Sequence, residues 1–307
     1  MGFKRLALYL KETRAPFFTA SIIPVLFGTA MGFKDAGRID IWLFLLTLAG
    51  VVSLHAGANV VNDYFDHTSG ADWANTKFVR PFTGGSRMIQ NGLLGAREVL
   101  IEGLVFYTVG SLIGIYLAYR VGMPVLWLGV FGVVTSFFYT SPPLRLVHRG
   151  IGEVFIALNF GTLVAVGTYY VQTKRLLLRP AISSLPIAIL VLLILYVNEF
   201  QDLDGDREVG KLGWVARLGT RRAVWLYGVL LTAVYFIIIA AVATSYLPIY
   251  ALTALFTIPM AIKAVVTAHK NYMDPKGLVP ANVSTILLHL LVGGILTVSY
   301  LLPDPIF

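Results

Sequence analysis

The sequence predicts an all-α, polytopic membrane protein with nine transmembrane helices in a bundle. Three observations carry that expectation. Hydrophobic residues make up 57% of the 307 and charged residues 13%, with a mean hydropathy of +0.77, a balance that belongs to integral membrane proteins. The apolar residues gather into runs of about 20, the length a helix needs to cross hydrocarbon. Most of these runs are too long and too continuously apolar for barrel strands, which alternate in short segments.

The first run, near residues 16–33, holds Pro16 and Pro24, and no small-residue cleavage site follows it, so a retained span is expected instead of a cleavable signal. The second, 41–61, runs into an acidic patch, Asn59-Val60-Val61-Asn62-Asp63-Tyr64-Phe65-Asp66, completed by Asp72. The third and fourth are placed at 99–119 and 123–140, the fourth ending in Phe137, Phe138 and Tyr139. The fifth, 153–171, opens on Glu153 and closes at Tyr169 and Tyr170, which suit an outer aromatic belt. The sixth, 181–198, meets a second patch, Asn198-Glu199-Phe200-Gln201-Asp202-Leu203-Asp204-Gly205-Asp206. Runs at 223–243, 247–266 and 282–302 complete the nine. No linker divides the chain, so residues 1–307 are expected to form a single membrane domain. Each patch closes a span and precedes a basic loop, which suggests two four-helix halves with a ninth helix appended. The loops near 67–97 and 199–221 are long enough to be lids.

With the N-terminus cytoplasmic, 18 of the 24 basic residues fall on the cytoplasmic side and 6 on the other. The positive-inside rule then places both acidic patches at the cytoplasmic face of the plasma membrane and Phe307 outside. The same rule accounts for the net charge of +8, so no nucleic-acid partner is expected. The lack of cysteine excludes cysteine-ligated iron–sulfur clusters and thiol catalysis.

Carboxylates beside hydrocarbon are costly unless something compensates them. Asn62 and Asp66 are four residues apart, as are Asn198, Asp202 and Asp206, so on helices each set shares one face. Such oxygen ledges suit Mg²⁺, which binds through a few carboxylates and leaves positions for phosphate and water. Lys77, Arg80, Arg207 and Lys211 in the adjoining loops supply cations, and together these groups can grip a diphosphate. Apolar helices around them offer room for a lipid tail. An allylic diphosphate held there can ionise as its leaving group is stabilised, and Tyr139, Phe137 and Phe138 place aromatic faces where a carbocation would form.

Asn62-x-x-x-Asp66 with Asp72, and Asn198-x-x-x-Asp202-x-x-x-Asp206, resemble the two aspartate-rich motifs of the UbiA-type intramembrane prenyltransferases, which have nine transmembrane helices. The insert between Asp66 and Asp72, the stretch Gly152-Glu153-Val154-Phe155 running on to Gln172, and Asp206 to Lys211 with Ala216-Arg217-Leu218-Gly219 are similar to the branch that prenylates 1,4-dihydroxy-2-naphthoate for menaquinone. The resemblance covers roughly residues 10 to 222. It implies Asn62, Asp66, Asp202 and Asp206 as Mg²⁺ ligands with Asn198 beside them, and Asp72 either on the metal or positioning the acceptor. It further implies Lys77, Arg80, Arg145 and Lys211 as diphosphate contacts; Arg207, Asn59 and Asp63 complete the candidate substrate contacts, and Tyr139 joins Asp66, Asp72, Asp202 and Asp206 as a candidate catalytic residue. Gly213-Trp214 departs from the usual pattern of a small hydroxyl residue and an aliphatic one. The Gly-rich basic loop from Arg80 to Arg87 can cradle phosphate through backbone N–H groups.

Several of these residues have plainer readings. Asp63 and Asp204 fall between motif positions and suit solvated or capping roles; His55, on the Asn59–Asn62–Asp66 face, suits a hydrogen bond to a neighbour as well as a proton relay. Glu153 suits a helix N-terminus as well as substrate. Arg149, Arg221 and Arg222 read as topology determinants. Competing functions are the same transfer to 4-hydroxybenzoate, haem or a glycerol-phosphate ether lipid, and a cation transporter with acidic gates. Two patches on one side of the membrane disfavour the transporter, whose ionisable groups belong near the midplane. A CDP-alcohol phosphotransferase would carry one long acidic motif instead of two.

Overall fold

The computed structural model describes residues 2–303, and within them every regular element is a helix. The chain opens with α1 (Gly2–Glu12), whose Leu6 and Leu10 are exposed beside Lys4, Arg5 and Lys11. A 3₁₀ turn (Ala15–Phe18) leads into α2 (Thr19–Ala36), followed by α3 (Ile41–Ser69), the single turn α4 (Ala71–Ala74), α5 (Ala96–Val121) and α6 (Pro124–Phe137). The next span is interrupted: α7 (Gly152–Ala157) passes through a π-helical turn (Leu158–Leu163) into α8 (Val164–Thr173). The short α9 (Leu178–Ser183) precedes α10 (Leu185–Glu208), then α11 (Trp214–Leu218) and α12 (Thr220–Ala243). A 3₁₀ segment (Ile249–Thr257) enters α13 (Ile258–Asn271), and α14 (Val279–Leu301) closes the described chain.

Eight of these segments are long and apolar enough to cross a membrane, which makes this a multi-pass membrane protein. The expected fourth span is the exception. Its helix, α6, has 14 residues, about 21 Å at ~1.5 Å per residue, because Pro142 and Pro143 follow closely and the chain turns after Phe138. Two spans run longer than their apolar cores: α3 continues to Ser69 and α10 to Glu208, so each acidic patch rides on the last turns of its own helix. The expected outer terminus at Phe307 lies beyond the described residues.

Small residues let the helices approach closely, as membrane packing favours. A Cβ on Gly57 of α3 would come within 2.9 Å of the Tyr107 ring on α5, and one on Gly161 within 2.4 Å of Ala188 on α10. The largest core cluster joins α2, α8, α10, α12, α13 and α14 around Phe27, Tyr196, Tyr227 and Leu288. Tyr169 belongs to this cluster and Tyr170 to a smaller one with Leu43, Leu117 and Val121; both are buried and form no aromatic belt. Tyr169 is fully buried and donates to Asp35 at 2.6 Å, while Tyr170 donates to the Val121 carbonyl at 3.2 Å; the rings pack within the bundle and both hydroxyls find protein partners, so the rings have no reason to face lipid.

Candidate active site

Both acidic ledges end at the same end of the bundle and face one cavity of about 120 Å³. Asn62 and Asp66 reach it from α3, Asn198, Asp202 and Asp206 from α10, and Asp72 from α4. Four-residue spacing places each set on one helical face, and Asn62 Nδ2 donates to Asp66 Oδ2 at 2.6 Å. Lys211 bridges the two ledges, its ammonium 3.6 Å from Asp66 and 3.4 Å from Asp206. Burial alone would lower its pKa, but the charges of Asp206 and Asp66 outweigh that and hold it well above its usual value. Asp72, 6% exposed, accepts from Gln90 at 2.6 Å, and Arg87 donates to its backbone carbonyl. Burial first, then the charges of Asp66 and Asp63, push the Asp72 carboxyl up to about 8.

The loop after α4 closes over this cavity. Asn75 donates to Asp202 at 2.6 Å, and Asn198 donates to the Phe82 carbonyl at 3.2 Å. Thr83, Gly84 and Gly85 line the cavity. Gly85, at φ +62, lies so near Asp63 that a Cβ there would come within 2.8 Å of Oδ1. Asp63 is therefore a fastener of the loop and not part of the cavity lining. It is 3% exposed, accepts from the Ser86 N–H at 2.7 Å and pairs with Arg14 at 3.3 Å. Asn59 likewise holds the entry to α2, donating to the Thr13 carbonyl at 2.9 Å while it lines the adjoining chamber.

Four cations anticipated as diphosphate contacts lie outside the lining. Lys77 is 67% exposed and pairs with the equally exposed Asp204 at 2.7 Å, in line with a solvated Asp204. Arg207 donates to the Ala216 carbonyl at 3.2 Å and borders a separate surface pocket. Arg80 closes its own loop on the Ser86 carbonyl at 2.7 Å. Arg145 is exposed, leading a 3₁₀ turn in the left-handed region at φ 42. Lys211 and Arg14 are the cations that line the cavity.

The Gly213-Trp214 departure has a structural reason. Glu153 accepts from the Trp214 N–H at 2.6 Å and Glu199 from the Val215 N–H at 3.1 Å. Both carboxyl groups crowd residue 213, where a Cβ would meet Glu199 at 2.8 Å and Glu153 at 3.0 Å. Tyr139 stands at the boundary between the acidic cavity and a second chamber of about 170 Å³, lined by Phe155, Asn159, Phe160 and Leu195 among others.

Sequence reasoning missed Arg14, Asn75 and Thr83, which line the cavity, and Asn282, which stands behind it. Asn282 is 1% exposed and donates to Asn198 Oδ1 at 2.6 Å; it also bonds Gln201, whose amide donates to the Pro275 carbonyl at 2.7 Å. An asparagine at the start of the apolar ninth run was the available signal for Asn282.

The helical membrane bundle thus holds an acidic, cation-bridged cavity beside a largely apolar chamber. The chain belongs to the UbiA prenyltransferase family, whose sequence pattern matches residues 21–297. It is 25% identical over 290 residues to the 1,4-dihydroxy-2-naphthoate octaprenyltransferase of Bacillus subtilis, covering 94% of this chain and 91% of that one. It is 28% identical to UbiA prenyltransferase domain-containing protein 1 of Xenopus tropicalis, over 84% of this chain and 72% of that one. Its fold matches a UbiA homologue from Archaeoglobus fulgidus bound to DMAPP and Mg²⁺ with a TM-score of 0.61 at 13% identity, covering 94% and 99% of the two chains.

Proposed function

We propose that this enzyme transfers a polyprenyl group from an allylic prenyl diphosphate to an aromatic quinone precursor, with 1,4-dihydroxy-2-naphthoate the favoured acceptor, at the cytoplasmic face of the plasma membrane. The observation that carries this is the meeting of Asp66, Asp202, Asp206 and Lys211 around one cavity, with an aromatic and apolar chamber directly beneath it. The naphthoate acceptor draws support from the sequence relationship to the Bacillus subtilis octaprenyltransferase.

Mg²⁺ fits the residues present. The donors are all oxygens, Asn62, Asp66, Asp202, Asp206 and, beside them, Asn198 and Asp72. A hard cation held by a few such oxygens keeps coordination positions for water and diphosphate. When bound, the ion supplies charge neutralisation to the departing diphosphate. Lys211 adds a fixed positive charge between the ledges, and Arg14 a second at the cavity wall. The allylic C–O bond breaks with its electron pair leaving on diphosphate, and the electron-rich acceptor ring bonds the prenyl carbon; with a naphthoate acceptor the ring carboxylate leaves as carbon dioxide and its C–C electron pair stays with the ring, so no further proton or oxidant is needed when bonding and loss occur at the same carbon. Tyr139 lines both chambers, which puts an aromatic ring near the place where positive charge would develop. The Asn75 and Asn198 contacts hold the loop closed against water.

Purified protein with Mg²⁺, geranylgeranyl diphosphate and a panel of acceptors tests the reading, with products identified by mass. A prenylated, decarboxylated naphthoquinol is expected; a prenylated 4-hydroxybenzoate, haem or glycerol-phosphate lipid would reassign the acceptor.

A further inference from the structure

Lys211 reaches between the acidic ledges from a backbone whose N–H donates to the Asp206 carbonyl at 2.8 Å. Gly210, just before it, turns in the left-handed region at φ +72. An ammonium on a flexible four-carbon stem is placed only as well as the backbone beneath it, so what fixes the chain beyond Lys211 bears on the site.

That chain is clasped to a stretch from another part of the sequence, residues 148–153. The Trp214 N–H donates to Glu153 at 2.6 Å, and the indole Nε1 donates to the Gly150 carbonyl at 2.8 Å. Arg217 joins the two sides, its Nη2 donating to the His148 carbonyl at 3.1 Å and its Nε to the Leu212 carbonyl at 2.7 Å. Gly150, at φ +70, lies so near that a Cβ there would come within 2.5 Å of Arg217 Nε. The loop that carries Lys211 is thus fastened at Trp214 and Arg217 to a segment belonging to neither acidic motif.

Glu153, fully buried at the start of α7, is the acidic member of the clasp. An ionised acceptor makes the stronger kind of hydrogen bond, and an apolar side chain in its place would leave the Trp214 N–H short of its partner. Glu199 and Gly213 line the acidic cavity, whereas Glu153 lies outside the lining of both chambers and reaches the site through the loop. The same stretch seats Tyr139: the Val147 N–H donates to the Tyr139 carbonyl at 3.0 Å, and a Cβ on Gly152 would come within 2.9 Å of the Tyr139 ring. Cation and aromatic ring are set from one elbow.

We propose that Glu153 is a positioning residue for the transfer: through Trp214 and Arg217 it fixes the backbone from which Lys211 reaches the ledges, and so sets how tightly the donor's diphosphate is held. This rests on the donor being a prenyl diphosphate seated at those ledges.

The test is a double-mutant cycle on kcat/KM for geranylgeranyl diphosphate, with the acceptor that the wild type uses, over Glu153→Leu, Lys211→Met and the two combined. Glu153→Gln and thermal melting in detergent complete the set. Glu153→Leu should raise the donor KM at least five-fold and the acceptor KM less than two-fold. Glu153→Gln, which keeps an oxygen for the Trp214 N–H, should recover most of that loss. In the Lys211→Met background Glu153→Leu should cost less than a further two-fold, because its effect passes through the lysine. Losses that multiply in the combined variant overturn the proposal, as does an acceptor KM that rises with the donor KM, or a Glu153→Gln as impaired as Glu153→Leu. Should Glu153→Leu fail to fold, Trp214→Phe, which removes the indole bond to Gly150, takes its place in the cycle under the same criteria. A wild type that makes no product from geranylgeranyl diphosphate instead refutes prenyl transfer itself.

Discussion

The side chain of Asn75 donates to Asp202 at 2.6 Å, tying the loop that follows the first acidic ledge to the second ledge on α10. The tie is tightened by Gly205, since a Cβ there would come within 2.7 Å of the Asn75 Cα. The two motifs, far apart in sequence, are thus held as one site by a residue belonging to neither. Asn75→Leu should remove one of the donors to Asp202, leaving Thr83, and loosen the loop. The expected result is a rise in the Mg²⁺ concentration needed for half-maximal activity, with a smaller change in acceptor KM; an unaltered Mg²⁺ titration would count against the tie.

Lys211 and Arg80 should now separate. Lys211 sits between Asp66 and Asp206, whereas Arg80 is engaged with the Ser86 carbonyl. Lys211→Met removes the buried cation from a carboxylate cluster, and activity should drop at least ~100-fold, equivalent to about 2.7 kcal/mol of transition-state stabilisation. Arg80→Ala should act through the loop alone and cost less than about ten-fold. Kinetics with donor and acceptor varied in turn provide the comparison, and equal losses in the two variants would refute the distinction.

Asn282 positions Asn198 from behind. Asn282→Leu leaves Asn198 and Gln201 short of buried partners, a loss of about 1–3 kcal/mol in stability. Its signature beyond stability should be a weakened response to Mg²⁺, partly restored in Asn282→Ser, which keeps a hydroxyl donor. A variant that merely melts earlier, with an unchanged Mg²⁺ titration, would make Asn282 a packing residue only.

Glu12 gives a pH prediction. Fully buried at the end of α1, it accepts a hydrogen bond from Ser86, and burial followed by the charge of Asp63 pushes its carboxyl from the usual 4.5 up to about 8. The groups facing it are Asp63, Arg14 and Glu102. A raised acid pKa means the folded protein holds the proton more tightly than the unfolded chain. The resulting stability is complete below about 4.5 and is lost as pH rises through about 8. Melting temperature in detergent should fall between pH 5 and 9, and Glu12→Gln should flatten that slope. A Glu12→Gln curve parallel to the wild type would contradict this assignment.

Much of this architecture is legible in the sequence because a membrane forces it: apolar runs set the spans, and four-residue spacing puts each acidic set on one face. The limits of the reading have physical causes. Helix ends followed polar residues that belong to the same helix, so α3 and α10 outran their apolar cores. Lys77, Arg80, Arg145 and Arg207 share the composition of Lys211, and only tertiary placement distinguishes the buried cation from the exposed ones. Asp63 reads as a substrate contact or a solvated carboxylate because nothing local announces that Gly85 and Ser86 fold onto it. The π turn at Leu158–Leu163 leaves no periodicity mark, and Tyr169 and Tyr170 look like belt residues until Asp35 and Val121 appear beside them.

Orientation can be tested on the native chain, which has no cysteine. Thr68 is exposed at the end of α3, and Arg38 is exposed in the turn at the opposite end of that helix. Thr68→Cys should react with a membrane-impermeant thiol reagent only after cells are opened, and Arg38→Cys in intact cells. The reverse pattern would invert the topology derived from the basic residues.

The central claim is that Asp66 and Asp202 act together on one donor. Its most direct measurement is prenylated product formed from geranylgeranyl diphosphate and 1,4-dihydroxy-2-naphthoate by the wild type, by Asp66→Asn and by Asp202→Asn, each with Mg²⁺ and with EDTA. Product is expected only from the wild type with Mg²⁺, with either substitution costing at least ~100-fold, the scale of several kcal/mol of leaving-group stabilisation, while both variants remain folded. Near-normal product from either variant, or from the wild type in EDTA, would contradict the account.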